Sequence, residues 1–267
     1  MIERMIVALD VGNTNMSLGI VRGGDVSAAR RAPTRPEVTA DELEQTLDEM
    51  LRADGTALGK VDQMLLASVV PPVTATIADV AKRREIHLLV ADSTTVPMPI
   101  AVDRPAEVGA DRLICAFAAS LLYGAPVIVV SLGTATTLNA VDASGAFVGG
   151  AIAPGLGLGL HALAKHAAQL PKVDVELPSE AIGGDTVSAM HSGAVLGHVA
   201  LVEGLIARMR TELKENAKVV LTGGLARLQW AKAISGVDAI DPLLTLRGLA
   251  LLEREVAARP KQPRVRA

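Results

Sequence analysis

The chain has 267 residues, with 26 lysines and arginines against 29 aspartates and glutamates, which gives a formal net charge of −3. This balance gives no general electrostatic reason to bind nucleic acid or an anionic membrane, and an aromatic content of 1% is too low for a base-stacking surface. The single cysteine, Cys115, excludes an internal disulfide framework and a zinc site of paired cysteines. We therefore expect a cytoplasmic globular protein with no signal peptide and no membrane span.

Apolar runs in the first part of the chain predict strands that alternate with helices. The predicted strands cover residues 5–10, a second strand after the polar turn that follows, 64–70 and 86–91. The predicted helices cover residues 39–53, 73–84 and 109–123. Residues 93–108 are rich in proline and predict an extended connection.

A similar pattern begins again near the middle of the chain. A strand at 126–133, a polar turn and a hairpin are followed by a glycine-rich turn that enters a helix at 155–168. Further on, the sequence predicts a long helical region at 185–215, a strand at 217–224 and a last helix at 242–258. The remaining residues, 259–267, are basic and contain prolines, so we expect a disordered tail.

Two segments half a chain apart resemble each other. MIVALDVGNT (5–14) and PVIVVSLGTA (126–135) are both apolar strands that break at a glycine and continue with small polar residues. Two copies of one βββαβ-like unit would make an α/β fold with a polar turn on each wall of a cleft. We therefore predict two similar halves, residues 1–118 and 119–258.

The first candidate motif is the turn DVGNTN, which begins at Asp10. Backbone N–H groups of such a turn can surround phosphate oxygens, and Gly12 allows the backbone to approach them closely. The side chains of Asn13, Thr14 and Asn15 add donors, and Asp10 at the end of the strand is suited to hold Mg²⁺ directly or through water. The alternative is an ordinary hairpin turn in which asparagine and glycine serve only the geometry.

Three further motifs are weak when taken singly. The segment Gly133–Thr137 is a small, hydroxyl-rich turn suited to a second phosphate contact, although threonine also favours strands. In Gly109–Arg112, Asp111 could accept a proton from a hydroxyl and Arg112 could hold a carboxylate, or both could simply belong to a helix start. The pair Gly223 and Gly224 would let a nucleobase or ribose lie against the backbone, or would simply form a turn.

Several other site types are excluded or disfavoured. The chain has no GxxxxGK[ST] motif and no GxGxxG motif after a strand, so a P-loop enzyme and a Rossmann dinucleotide site are not expected. The histidines at 161, 166, 191 and 198 lie in predicted helices, where we interpret them as surface or packing residues. Cys115 lies in an apolar helical run and is expected to be a small buried side chain.

Taken in order, eight short segments make a specific set. Together they closely resemble type III pantothenate kinase over residues 5–255, and they are DVGNTN (10–15), SVVPPVT (68–74), EVGADR (107–112), LGTATT (132–137), GGAIAPGL (149–156), AAQLP (167–171), IGGDT (182–186) and TGGLA (222–226). The resemblance implies the duplicated actin-like (ribonuclease H-like) fold. It also implies ATP-dependent phosphorylation of pantothenate to 4′-phosphopantothenate, the first step of coenzyme A synthesis, by a phosphotransferase with an alcohol acceptor.

The resemblance also assigns roles to residues of this chain. Asp111 would be the general base, and Asp10 would lie near Mg²⁺. The residues implied in ATP binding are Asp10, Val11, Gly12, Asn13, Thr14, Asn15, Met16, Ser17, Gly133, Thr134, Gly223 and Gly224. The residues implied in pantothenate binding are Val102, Gly109, Ala110, Asp111, Arg112 and Thr186. Thr186 would act across the interface of a homodimer, and a monovalent cation, K⁺ or NH₄⁺, would be required.

Two positions depart from the family pattern. The family usually carries aspartate where this chain has Ser131, and that aspartate helps to bind the monovalent cation. Since a hydroxyl cannot supply the missing charge, we expect a weakened or lost cation site. The family often has an aromatic residue where this chain has Val102, in the pantothenate pocket. These departures keep two alternatives open: a non-catalytic binding or regulatory relative, and a kinase for another small hydroxy acid.

Overall fold

The computed structural model describes residues 4–27, 29–167 and 169–258, so the predicted tail at 259–267 lies outside the described residues. Contacts divide the chain into two compact units. The first unit contains the described residues up to Pro97, the segment Ala106–Ile114 and the residues from Thr245 onward. The second unit contains Met98–Pro105 and Cys115–Leu244.

The sheet of the first unit has the strand order β3-β2-β1-β5-β6, and β4 also pairs with β2. Strand β1 is antiparallel to β2 and parallel to β5. The strands are β1 (Ile6–Val11), β2 (Asn15–Arg22), β3 (Asp25–Val26), β4 (Arg30–Pro33), β5 (Gln63–Ser68) and β6 (His87–Val90). The helices α1 (Ala40–Arg52) and α2 (Pro71–Arg83) connect the strands.

Local sequence signals explain where the helices of the first unit begin. Thr39 forms a capping box with Glu42, in which the threonine side chain accepts from the Glu42 N–H and the Glu42 carboxylate accepts from the Thr39 N–H. Helix α2 begins with prolines, which have no N–H to lose in a first helical turn. The apolar faces of these helices bury Leu47 and Ile77 in the core beneath the sheet.

The sheet of the second unit has the order β11-β10-β7-β8-β9. Its strands are β7 (Val127–Leu132), β8 (Ala135–Val141), β9 (Phe147–Pro154), β10 (Lys218–Thr222) and β11 (Ala239–Ile240). Strand β7 is antiparallel to β8 and parallel to β10, just as β1 is antiparallel to β2 and parallel to β5. When β4 is set aside, the two sheets have the same strand order, so the predicted duplication and α/β class are confirmed.

The remaining helices connect or follow these strands. They are α3 (Ala110–Tyr123), α4 (Leu156–His166), α5 (Thr186–His191), α6 (Gly197–Leu213) and α7 (Leu244–Ala258). A π-helical segment, Ser192–Leu196, joins α5 to α6, so residues 186–213 form one long helix, as the apolar pattern predicted. Within the described residues, length and composition alone would allow this helix to cross a membrane. One of its faces packs into the second core through Val195, Val199, Val202 and Ile206.

Some sequence predictions need correction or stay open. Strand β4 and the 3₁₀ turn Gln229–Ala233 were not predicted, because both are short and lack an apolar period. Contacts place α7 with the first unit, whereas the division at residue 118 followed the repeated pattern along the chain. That division stays a prediction about the duplicated halves.

Candidate active site

The turn between β1 and β2 is held by hydrogen bonds from both of its sides. The Gly12 N–H donates to the Asn15 carbonyl at 3.0 Å. Thr34 follows β4 and braces the turn, because its hydroxyl donates to the Gly12 carbonyl at 2.7 Å and its N–H donates to the Thr14 carbonyl at 2.9 Å. The side chains of Asn13, Thr14 and Asn15 remain exposed, so the turn presents polar groups outward.

The predicted ATP contacts on either side of this turn differ in exposure. Val11 and Met16 face each other across the hairpin, and both side chains are buried in the first core. Only their backbone groups are therefore available to a nucleotide. Ser17 is half-buried and lies directly opposite Asp10 in the sheet.

Asp10 lies near the carboxyl end of the central strand β1 in an unusual electrostatic environment. Burial and the neighbouring charge of Asp111 raise the pKa of Asp10 from 3.8 to about 7. The positive charge of Arg31 on β4 and a hydrogen bond with the Thr245 side chain act in the opposite direction on this pKa. Asp10 is thus a carboxylate whose ionisation is set by groups from three other elements of the first unit.

Asp111 lies in the first turn of α3 next to Arg112. One oxygen of its carboxylate accepts the Arg112 backbone N–H at 2.8 Å. Burial raises the pKa of Asp111, against the effect of this hydrogen bond and of the Arg112 charge. Burial lowers the pKa of the Arg112 guanidinium, and the Asp111 charge opposes that shift. The helix start therefore presents a partly desolvated acid and a partly desolvated cation side by side.

Gly109 makes room for the Asp111 carboxylate. A Cβ atom at residue 109 would lie 2.6 Å from Asp111 Oδ1 and 3.4 Å from Val69 Cγ1. The first of these separations is closer than real Cβ contacts allow, so any side chain here would displace the carboxylate. Ala110, the next residue of the motif, is buried and has no polar side-chain group to offer.

The donor set around Asp10 fits a divalent cation. Mg²⁺ prefers oxygen ligands and is commonly held by one or two carboxylates with water and phosphates. Asp10 and Asp111 repel each other electrostatically, and a divalent charge beside them would relieve that repulsion. Among the described residues, no group of three or more His, Cys, Asp or Glu side chains is arranged as a metal site of its own, so a metal here would need further oxygen ligands.

In the second unit, three glycine-containing segments meet at the carboxyl end of β7. The Gly133 N–H donates to the Ala135 carbonyl at 3.1 Å, and the Gly155 N–H donates to the Thr134 carbonyl at 3.0 Å. A Cβ atom on Gly155 would lie 2.3 Å from the Gly133 oxygen. A Cβ atom on Gly223 would lie 2.5 Å from the Leu132 oxygen. Gly223 also has a φ of +93°, which favours glycine, and Gly224 follows it as an exposed residue.

The prediction that Gly133–Thr137 forms one polar turn is wrong in its second half. Strand β8 begins at Ala135, and the side chains of Thr136 and Thr137 are buried. Thr136 exchanges a hydrogen bond of 2.9 Å with His198 Nε2, and the His198 ring meets Trp230 edge to face. The strand preference of threonine thus prevails, and only Gly133 and the exposed Thr134 remain in the turn. His198 is confirmed as a packing residue.

Ser131 occupies the same place in the second unit that Asp10 occupies in the first. Each is the fifth residue of its central strand. The strand neighbours of Ser131 are Thr137 and Thr222, so a row of three hydroxyl residues crosses the sheet. This row offers neutral oxygens and no carboxylate, and it does not fit a cation site that takes its charge from an acid.

The other predicted substrate residues also lie in the second unit. Thr186 is the first residue of α5, after Asp185, which caps the helix by accepting the Ser188 N–H at 2.9 Å. Val102 is half-buried, and a Cβ atom on Gly149 would lie 3.8 Å from Val102 Cγ1. Its segment is fixed to the start of β9, because the Ala101 N–H donates to the Phe147 carbonyl at 2.8 Å.

Three contributors to the first unit's site were missed by sequence reasoning. Thr34 directly follows β4, and Arg31 lies within β4. Thr245 lies in the first turn of α7. Local pattern gave no signal for them, because β4 is short and α7 is more than two hundred residues from Asp10.

Cys115 was expected to be buried, and it is. A groove of about 580 Å³ along α1 contains none of the predicted site residues.

Comparison with known proteins identifies the family of this chain. The type III pantothenate kinase family profile matches residues 6–208. A type III pantothenate kinase from Moorella thermoacetica is 40% identical over 250 residues, which cover 93% of this chain and 98% of that protein.

Two solved structures share the fold. A conserved protein from Campylobacter jejuni assigned to the Baf transcriptional activator family has a TM-score of 0.63 at 18% identity, over 95% of this chain and all of that one. The ROK hexokinase from Thermus thermophilus has a TM-score of 0.53 at 16% identity, over 96% of this chain and all of that one. The chain belongs to the type III pantothenate kinase family.

Proposed function

We propose that this protein transfers the γ-phosphoryl group of ATP to the hydroxyl of pantothenate and so forms 4′-phosphopantothenate for coenzyme A synthesis. The observation that carries the proposal is the placement of Asp111 beside Arg112, near enough to Asp10 for the Asp111 charge to raise the pKa of Asp10. Family membership supports the reaction, and these three residues supply groups that the reaction requires. Phosphoryl transfer depends mainly on positioning and on neutralisation of charge.

Asp111 acts as the general base in this proposal. Its carboxylate accepts the proton of the substrate hydroxyl while the hydroxyl oxygen forms a bond to the γ-phosphorus and the bond from that phosphorus to the ADP oxygen breaks. The raised pKa of Asp111 brings its basicity closer to neutral pH, where a base is most effective. The hydrogen bond from the Arg112 N–H holds one carboxylate oxygen in place.

Arg112 holds the pantothenate carboxylate. A guanidinium can bind a carboxylate through two parallel hydrogen bonds, which fixes the orientation of the substrate as well as its position. Because the guanidinium is already partly desolvated, an anionic partner is favoured there. Val102 is the residue of the second unit that we assign to the substrate pocket on the basis of family resemblance.

The ATP phosphates contact the first turn through backbone N–H groups and the exposed side chains of Asn13, Thr14 and Asn15. We further assign nucleotide contacts to Gly133, Thr134, Gly223 and Gly224 of the second unit on the basis of family resemblance. Asp10 would hold Mg²⁺, which would neutralise negative charge on the phosphates during the transfer. A monovalent cation is not assigned to the hydroxyl row at Ser131.

The protein acts as a cytoplasmic homodimer in this proposal. Exposed large apolar side chains among the described residues all fall in the second unit: Leu121, Leu122, Val148, Ile152, Leu158, Leu163, Leu177, Ile182, Val187, Leu201, Leu228 and Ile240. The proposal of a homodimer rests on family resemblance, and these side chains are candidates for the contact between the two copies. Thr186 begins the long helical segment that carries Val187 and Leu201, and we assign it to substrate binding across the interface on the basis of family resemblance.

The experiment that tests the proposed reaction identifies the phosphorylated product. Purified protein with ATP and Mg²⁺ is incubated with pantothenate, with a panel of other small hydroxy acids, or with no acceptor, and the products are resolved by ³¹P NMR. We expect a phosphomonoester signal with pantothenate alone. A stronger signal with another hydroxy acid would move the assignment to that substrate. The absence of product with every acceptor, from protein that binds ATP, would indicate a non-catalytic relative.

A further inference from the structure

The short strand β4 carries two neighbouring arginines that face opposite sides of the first sheet. Arg30 pairs with Leu18 of β2, and Arg31 pairs with Ser17. Successive side chains of a strand point to opposite faces, so the two arginines serve different surfaces. The Arg30 guanidinium donates to the Asp54 carboxylate at 2.7 and 3.1 Å, which ties β4 to the segment after α1. Arg30 therefore has a structural partner.

Arg31 lies on the same face of the sheet as Asp10. Ser17 is the direct strand neighbour of both residues, so Asp10, Ser17 and Arg31 form a row across β1, β2 and β4. Neighbouring strands lie about 4.8 Å apart, which puts the Cα atoms of Asp10 and Arg31 about 10 Å apart. The opposite face is the core side, where Val11 and Met16 are buried. The row therefore lies on the face that carries the candidate site.

The backbone of β4 is joined to the turn that we assign to the ATP phosphates. Pro33 pairs with Asn15. The next residue, Thr34, donates its hydroxyl to the Gly12 carbonyl at 2.7 Å and its N–H to the Thr14 carbonyl at 2.9 Å. Arg31 thus stands on a strand whose position relative to the turn is fixed by hydrogen bonds, and such a strand places a side chain more precisely than a free loop does.

The Arg31 guanidinium is available to a ligand. Its side chain is exposed, and within the part of the chain that the structure describes it forms no salt bridge, whereas Arg30 is paired. The turn DVGNTN contains no lysine or arginine, and the nearby acids Asp10 and Asp111 add negative charge where phosphates would bind. A guanidinium can bind phosphate oxygens through two parallel hydrogen bonds.

We propose that Arg31 binds the terminal phosphate oxygens of ATP from the strand beyond Ser17. The proposal rests on the proposed function, to which it adds a cationic phosphate ligand that no sequence motif marks. The alternative is that an exposed arginine on an edge strand only prevents pairing with another chain. That role would leave nucleotide affinity unchanged.

The test measures the Kd of ATP and of AMP by calorimetry in the presence of Mg²⁺. Arg31→Gln removes the charge at similar side-chain length, and Arg30→Gln is the matched control on the other face. We expect Arg31→Gln to raise the Kd of ATP about tenfold, the size expected for a hydrogen bond to a charged group, and to leave the Kd of AMP unchanged. Arg31→Lys, which keeps the charge, should raise the Kd of ATP less.

The control separates a phosphate contact from a general disturbance of β4. Arg30→Gln should lower the Tm, because it breaks the bond to Asp54, and should leave the Kd of ATP unchanged. An unchanged Kd of ATP in Arg31→Gln would overturn the proposal. An equal rise for ATP and AMP would also overturn it, since AMP lacks the terminal phosphates. Wild-type protein that binds ATP without phosphorylating pantothenate would refute the proposed function, and the Kd values would still decide the role of Arg31.

Discussion

The two units of this protein have the same sheet and different chemistry at the same place in it. In the first, the fifth residue of the central strand is Asp10, which is influenced by Asp111, Arg31 and Thr245. In the second, it is Ser131, between Thr137 and Thr222. The first unit therefore gathers charge at the end of its central strand, and the second gathers hydroxyls and glycines. A duplicated fold can thus keep one scaffold while its charged groups at this place concentrate in one copy.

The largest effect on kcat should come from replacing Asp10 of the first unit with a neutral residue. A substitution at the equivalent residue of the second unit, Ser131, should have little effect. We expect Asp10→Asn to lower kcat by about 10²–10⁴-fold, because the variant loses the negative oxygen that would hold Mg²⁺. Ser131→Ala at the equivalent place should change kcat by less than about threefold. Steady-state ADP release measures both. Equal losses in the two variants would contradict the assignment of the chemistry to the first unit.

A methyl group should be poorly tolerated at Gly155, where helix α4 begins beside the turn of the second unit. A Cβ atom on Gly155 would lie 2.3 Å from the Gly133 oxygen, whereas one on Gly12 would lie 3.4 Å from the Asn15 oxygen. We expect Gly155→Ala to lower the free energy of unfolding by about 2–4 kcal/mol. Gly157→Ala is the matched control, because it is in the same helix with nothing within 4 Å of the added Cβ. Urea unfolding should show the control equal to or more stable than wild type.

The free energy of unfolding should depend on pH because of Asp10, the acid of the first unit whose pKa is raised. The pKa of Asp10 is raised from 3.8 to about 7, so between these values the folded protein binds a proton that the unfolded chain releases. Its contribution to the free energy of unfolding therefore falls as pH rises from about 4 through about 7. Asp10→Asn removes this contribution. The free energy of unfolding of the variant minus that of wild type should therefore be larger at pH 8 than at pH 5. Thermal unfolding at both pH values measures the difference, and a pH-independent difference would contradict it.

The smallest expected effect comes from restoring an acid to the second unit. Because the row at Ser131 is neutral, we expect ADP release by the wild type to depend little on K⁺ or to need far more of it. Ser131→Asp should introduce an ordinary K⁺ dependence. Ser131→Asn, which changes size without adding charge, is the control. Identical K⁺ titrations of wild type and Ser131→Asp would contradict our account of this position.

Sequence reasoning reached the duplicated fold because its signals are local. Apolar strands that break at Gly12 and Gly133 reveal the repeat. The same reasoning misplaced Thr136 and Thr137, since threonine is common in both turns and strands. It could not find Thr245, because its role depends on the packing of α7 against β2 and not on its neighbours in the chain. The ionisation of Asp10 was also beyond local pattern, since it is set by burial and by three distant side chains.

The central claim is that Asp111 accepts the hydroxyl proton of pantothenate, and one comparison tests it most directly. Pantothenate-dependent ADP release is measured for wild type and Asp111→Asn, with circular dichroism and ATP binding as checks that the variant is folded. The account predicts that the wild type is active and that the variant loses about 10²–10⁴-fold in kcat while it still binds ATP. A folded variant that retains wild-type turnover would contradict the assignment of Asp111 as the base.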